Sequence, residues 1–140
     1  MSNFPRFTLN RTIVLLVPRL PFLEWLNHAD PTEQALTLAE LCDDNEAFLI
    51  PQLNDDQESI EWVEKRWSML FEHMLEEWVV DETLWPQRRT LELFREWFDI
   101  EMHTLAWDLA DEPLLVEDWH DEDTGEEYEY PEVRSKMHLH

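Results

Sequence analysis

Thr12-Ile13-Val14-Leu15-Leu16-Val17-Pro18 is a continuous β-branched and aliphatic run stopped by a proline. A run without alternation marks a strand buried on both faces, because neither row of side chains has to meet water. The signature returns at Ala47-Phe48-Leu49-Ile50-Pro51. Between the two, Phe22, Leu23, Trp25 and Leu26 follow Pro21 at helical spacing and stop at Asn27 and Asp30-Pro31, and Thr37 to Leu41 adds a further turn or two. A helix-containing connection of roughly thirty residues is what a right-handed crossover uses, so the two strands are expected to run parallel. Ligands of parallel open sheets settle beyond the carboxyl ends of the strands, which places an expected crevice near Pro18 to Pro21 and Pro51 to Asn54. Each run is followed by a loop and a Trp-bearing helix, an echo attributed to one shared supersecondary solution and not to duplication.

Downstream, Asn54-Asp55-Asp56-Gln57-Glu58 supplies acids suited to a helix N-terminus. Ile60, Val63, Trp67, Leu70, Phe71, Met74 and Trp78 then recur at helical steps, which predicts one amphipathic helix of about five turns. Glu58, Glu61, Lys65, Glu72 and Glu76 fall on its outward face, and Trp62, Arg66, Met69 and His73 on a shoulder. After Asp81-Glu82 and Trp85-Pro86, a second helix carries Leu91, Phe94, Trp97 and Phe98. From Asp99 to Leu109 the period changes to two, predicting a third strand, central in the sheet. The expected architecture is α+β: a small mixed sheet of three to four strands, the first two parallel, packed against the long amphipathic helix and shorter helices. Residues 1–113 form the expected domain. Residues 114–140 form an acidic, mobile extension with a short strand at Glu127 to Val133, since residues 108 to 132 hold twelve acids and no Lys or Arg.

Composition excludes more than it selects. The 140 residues include 33 acids against 10 Lys and Arg, a formal charge of -23, yet 44% are hydrophobic and eight are Trp, which is enough for a core. The single glycine, Gly125, rules out P-loops and dinucleotide fingerprints, which need several residues without a Cβ beside the phosphates. Ser2, Ser59, Ser68 and Ser135 have no flanking glycines, so no nucleophile elbow can form. A lone Cys42 makes no disulfide, zinc ribbon or CxxC pair, as expected of a reducing, cytoplasmic setting. Ile13 to Val17 is too short for a secretory core or a membrane span. The negative charge argues against direct contact with nucleic acid or anionic lipid.

Leu9-Asn10-Arg11-Thr12-Ile13-Val14, Leu84-Trp85-Pro86-Gln87-Arg88-Arg89-Thr90 and Trp97-Phe98-Asp99-Ile100-Glu101-Met102-His103 together resemble a group of small acidic bacterial proteins usually labelled uncharacterised. The resemblance spans roughly residues 9 to 113, implies a bacterial cytosolic origin and transfers no site.

Asp99, Glu101 and His103 alternate onto one strand face, where two carboxylates and an imidazole could meet a metal or substrate. In so acidic a chain, however, almost any His has an acid at such spacing, and a solvated strand start explains the pattern as well. His73 could join them if its helix packs over that strand. His138 and His140 supply two ligands on a chain end, too few for a site, and Cys42 has no nameable base. Asp118 to Asp123 lacks the Gly-centred spacing of a calcium loop. Arg88, Arg89 and Arg95 could grip an anion, with pairing to nearby acids as the default. Trp25, Trp67, Trp78, Trp97 and Trp107 fall on expected core faces, whereas Trp62, Trp85 and Trp119 fall off them as interface candidates.

These features point to a non-enzymatic interaction protein, a monomer or weak dimer, that offers carboxylates to a basic protein as a nucleic-acid mimic or an inhibitor or immunity-type binder. Glu58, Glu61, Glu72, Glu76, Trp62, Asp118, Trp119, Asp121, Glu122 and Asp123 would carry the contact, with no cofactor or metal implied. Mimicry needs two rows of charge side by side: twelve acids on 25 extended residues at ~3.3 Å each give roughly one charge per 7 Å, against one per ~1.7 Å of duplex. The alternative from another class is a small enzyme or ligand-binding domain built around Asp99, Glu101 and His103.

Overall fold

The structure, a computed structural model, describes residues 3–29, 35–43, 45–119 and the strand at 133–134. It divides into two compact units, Asn10–Ala106 and a second formed by Met1–Leu9 with Trp107–His140. The larger unit holds strands β2 (Arg11–Pro18), β3 (Ala47–Pro51) and β4 (Phe98–His103), with helices α1 (Leu20–Ala29), α2 (Leu38–Leu41), α3 (Asp56–Glu64), α4 (Trp67–Trp78) and α5 (Leu91–Trp97). Apart from the main sheet, β1 (Phe7–Leu9) hydrogen-bonds to β5 (Ala106–Asp108), and β6 (Leu114–Leu115) pairs antiparallel with β7 (Val133–Arg134).

The α+β class holds, but the strand direction does not. The main sheet has the order β3-β2-β4, and both neighbours run antiparallel to β2. Arg11 lies opposite Pro51 and Pro18 opposite Phe98. The connection length permits a crossover without requiring one; here it lets α1 and α2 form before the chain returns antiparallel. The carboxyl ends at Pro18 and Pro51 therefore lie at opposite ends of β2, and the expected crevice uniting them does not form. β4 is an edge strand, with β2 in the centre.

Alternation in β2 separates two faces. Thr12, Val14, Leu16 and Pro18 are buried, whereas Arg11, Ile13, Leu15 and Val17 are half-buried. Residues directly opposite in an antiparallel pair share a face. The inner face therefore joins Val14 to Phe48 and Met102, and Leu16 to Ile100; the outer joins Ile13 to Leu49 and His103, and Leu15 to Ala47 and Glu101. Helical residues Phe22, Leu26, Val63, Phe71, Leu75, Phe94 and Trp97 complete the core with the inner face. Phe22, Phe71 and Phe94 meet Phe98 with ring centroids at 5.3, 5.5 and 5.3 Å, which anchors the end of the sheet to three helices. Each such side chain contributes about 1.5–3 kcal/mol by leaving water.

The five-turn helix is also corrected. It divides into α3 and α4 at Lys65-Arg66, where the Arg66 N–H donates to Val63 O at 2.9 Å, a tightened turn, and Arg66 takes a non-helical ψ of 18°. Neither Gly nor Pro marks this break, so the apolar spacing runs through it. The acidic start is as expected: Asp55 accepts the Glu58 N–H at 2.8 Å. The third strand stops at His103, and Thr104-Leu105 separates it from β5. Of the expected strand at Glu127 to Val133, only its last residue falls among the described residues, in β7.

Tryptophan placement departs from the helical wheel. Trp85 is 7% exposed because a 3-10 turn at Glu82–Leu84, capped by Asp81, folds it inward to donate from Nε1 to Val79 O at 2.7 Å. Trp78 and Trp107, expected inside, are exposed. Trp97 is buried, and Trp25, Trp62 and Trp67 pack on the rim of the core.

Candidate functional site

Asp99, Glu101 and His103 stand together on the outer face of β4, and all three are exposed. His103 Nε2 lies 3.4 Å from a Glu101 carboxylate oxygen, and Asp99 is 3.9 Å from Arg19. Water reaches both the imidazole and the carboxylate, which are each 54% exposed, so the pair is screened and gains little from its proximity. Next to these residues on the same face lie Ile13, Leu15 and Val17, and beyond them Leu49, which is 52% exposed. The outer face is thus an apolar centre with an acidic margin along β4.

His73 does not join that strand. Its Nε2 lies 2.5 Å from the Glu46 carboxylate, just ahead of the other edge strand, β3. Phe48 meets the imidazole edge-on at 5.5 Å and restrains the ring plane. Glu77, one helical turn beyond His73 on α4, completes a group whose three ligand atoms all lie within 4.8 Å of one another. Glu46 is half-buried, and desolvation pushes its carboxyl upward; hydrogen bonds from Glu77 and His73 and the charge on His73 outweigh this, so it titrates below the ordinary 4.5. Sequence reasoning missed this group because 27 residues separate Glu46 from His73. The readable half was His73-x-x-x-Glu77, which places both side chains on one helix face.

The expected acidic row is divided between two helices and partly occupied. Glu58 accepts the Asn54 N–H at 3.1 Å, Glu61 accepts from Gln57 at 3.3 Å, and Glu72 pairs with Arg89 at 2.9 Å. Glu76 is exposed on α4. Arg66 lies 3.4 Å over the Trp62 ring and donates to Trp62 O, so that ring is covered by a cation from its own chain. Asp118 is exposed, and Trp119 is 87% exposed. Asp121, Glu122 and Asp123, with His138 and His140, lie outside the described residues.

Two of the three clustered arginines are engaged. Arg95 grips Glu64 through two hydrogen bonds of 2.7 and 2.9 Å, which hold the Glu64 carboxyl below its ordinary value despite partial burial, and Arg89 pairs with Glu72. Cys42 donates from Sγ to Pro18 O at 3.4 Å, and burial pushes its thiol upward, away from the thiolate a nucleophile requires. No helix among the described residues is long and apolar enough to cross a membrane. Comparison with protein-family models, with curated proteins and with solved structures finds no match to this chain.

Proposed function

We propose that this chain is a non-enzymatic, cytoplasmic interaction protein that binds a basic protein partner, as a nucleic-acid mimic or an inhibitor or immunity-type binder. The observation that carries the reading is the charge imbalance on a folded body: 33 acids face 10 Lys and Arg, and Arg89 and Arg95 already pair with carboxylates of their own chain. The surplus must be balanced from outside, by counterions or by a cationic surface, and releasing the counterions favours the surface at low salt.

The outer sheet face supports the same reading from a second direction. A partner that pairs lysines or arginines with Asp99 and Glu101 could also cover Ile13, Leu15 and Leu49, gaining apolar burial where charge alone gives mainly rate and register. Glu61 and Glu76 on the helices offer further carboxylates, and Asp118 and Trp119, in the other unit, offer contacts of their own. The enzyme reading around Asp99, Glu101 and His103 has less support, because their exposure leaves nothing to exclude water from a reaction.

The test is a salt-stepped pull-down from bacterial lysate with the full chain, followed by titration of the recovered protein in pure form. Binding should weaken steeply with salt, in the intact chain more than in one carrying E61Q, E76Q, D99N and E101Q. Salt-independent retention, or a recovered partner that is itself acidic, would refute the proposal.

A further inference from the structure

We propose that Glu46, His73 and Glu77 bind one divalent metal ion of the zinc class, a site independent of the interaction reading above. Three observations converge on it. The donors come from two separate elements and lie within 4.8 Å of one another, compact enough to share a single ion. His73 and Glu77 are one turn apart on α4, beside the buried Met74, so core packing fixes the spacing of two ligands before any ion arrives. The imidazole plane is further set by Phe48, whose ring meets it at 5.5 Å.

The charge of the donors matches the geometry. Glu46 and Glu77 bring two carboxyl groups to one imidazole, in a chain of formal charge -23. A divalent ion neutralises both carboxylates at once and uses the imidazole nitrogen as a third ligand.

The donor set selects the class of metal. Calcium and magnesium take oxygen ligands, whereas one nitrogen and two carboxylate oxygens suit zinc, cobalt and their first-row neighbours. Zinc at about 2.1 Å from each donor sets tetrahedral donors roughly 3.4 Å apart. The 2.5 Å separation of His73 from Glu46 must therefore open by about 0.9 Å, within reach of a Glu rotamer change. Three protein ligands leave the fourth position to water or to a donor from a bound molecule.

The experiment titrates Zn2+ into the full chain by calorimetry in 0.15 M salt, which screens diffuse condensation on the acids, and repeats it with Co2+ to read the d–d absorption of an ordered site. One equivalent should bind saturably. H73A and E77Q should each weaken that binding by more than the roughly 10–100-fold that loss of an outer-shell partner costs, whereas H103A should leave it intact. Glu77 is exposed and Gln is its isostere, so E77Q keeps the helix folded even if H73A does not, with far-UV circular dichroism as the check. Binding unchanged in E77Q, equal loss in H103A, or no saturable uptake by the native chain would each overturn the proposal. Loss of lysate capture with metal uptake intact would refute the interaction reading and leave this site standing.

Discussion

Leu15 and Leu16 are adjacent and chemically identical, yet Leu16 has 0% of its surface exposed while Leu15 is half-buried on the opposite face of β2. The difference lies in what each face meets. The inner row enters a core of Phe22, Phe71, Phe94 and Trp97; the outer row faces Ala47, Leu49 and the polar margin of β4. One unbroken apolar run thus serves two purposes, and only one of them is to hold the fold together.

The largest expected contrast is between Phe98 and Asp99, consecutive residues on opposite faces of β4. F98A should cost about 3–5 kcal/mol through loss of buried ring contacts, and D99A should stay within about 0.5 kcal/mol of wild type, both read by urea unfolding at constant m. L16A should follow at about 2–5 kcal/mol, with L15A well below it. Equal costs for the two leucines would mean that the outer face is as fully covered as the inner. W85F should cost about 1–2 kcal/mol by leaving the Val79 carbonyl without its indole donor, visible as a lowered thermal midpoint.

The smallest effect tests the surface against the core by pH. Glu64 titrates below its ordinary 4.5 through its Arg95 hydrogen bonds, so its contribution is present above the unfolded value and is lost as pH falls through the folded one. Arg95 is 55% exposed, and solvent screening limits that contribution to about 0.2–1 kcal/mol. E64Q should therefore unfold slightly earlier than wild type at neutral pH, and the two midpoints should converge as pH falls below the ordinary 4.5 and through the lowered folded value. A gap that widens in acid would reverse the assignment.

β2 and β3 announced themselves through apolar runs ended by proline, and α1, α2 and α5 through apolar spacing; in the structure Thr37 and Thr90 cap α2 and α5. Local chemistry determines such elements, so a sequence displays it. Strand direction does not depend on local chemistry: whether the chain returns parallel or antiparallel is decided by how α1 and α2 pack. The split at Lys65-Arg66 likewise leaves no residue-level mark. Asp99, Glu101 and His103 were legible as a shared face because alternation alone places them there. Glu46 meeting His73 was not, since that contact exists only once β3 and α4 have taken their places.

The order of the sheet also governs when it can exist. β2 is complete at Pro18, but the strand on its far side does not begin until Phe98. At synthesis rates of roughly 5–20 residues per second, about 4–16 s separate the two on a translating ribosome. During that interval the most aliphatic segment of the chain has one edge without its final hydrogen-bonding neighbour. Synthesis of β4, more than any local nucleus, therefore sets the earliest moment at which this protein can close its centre.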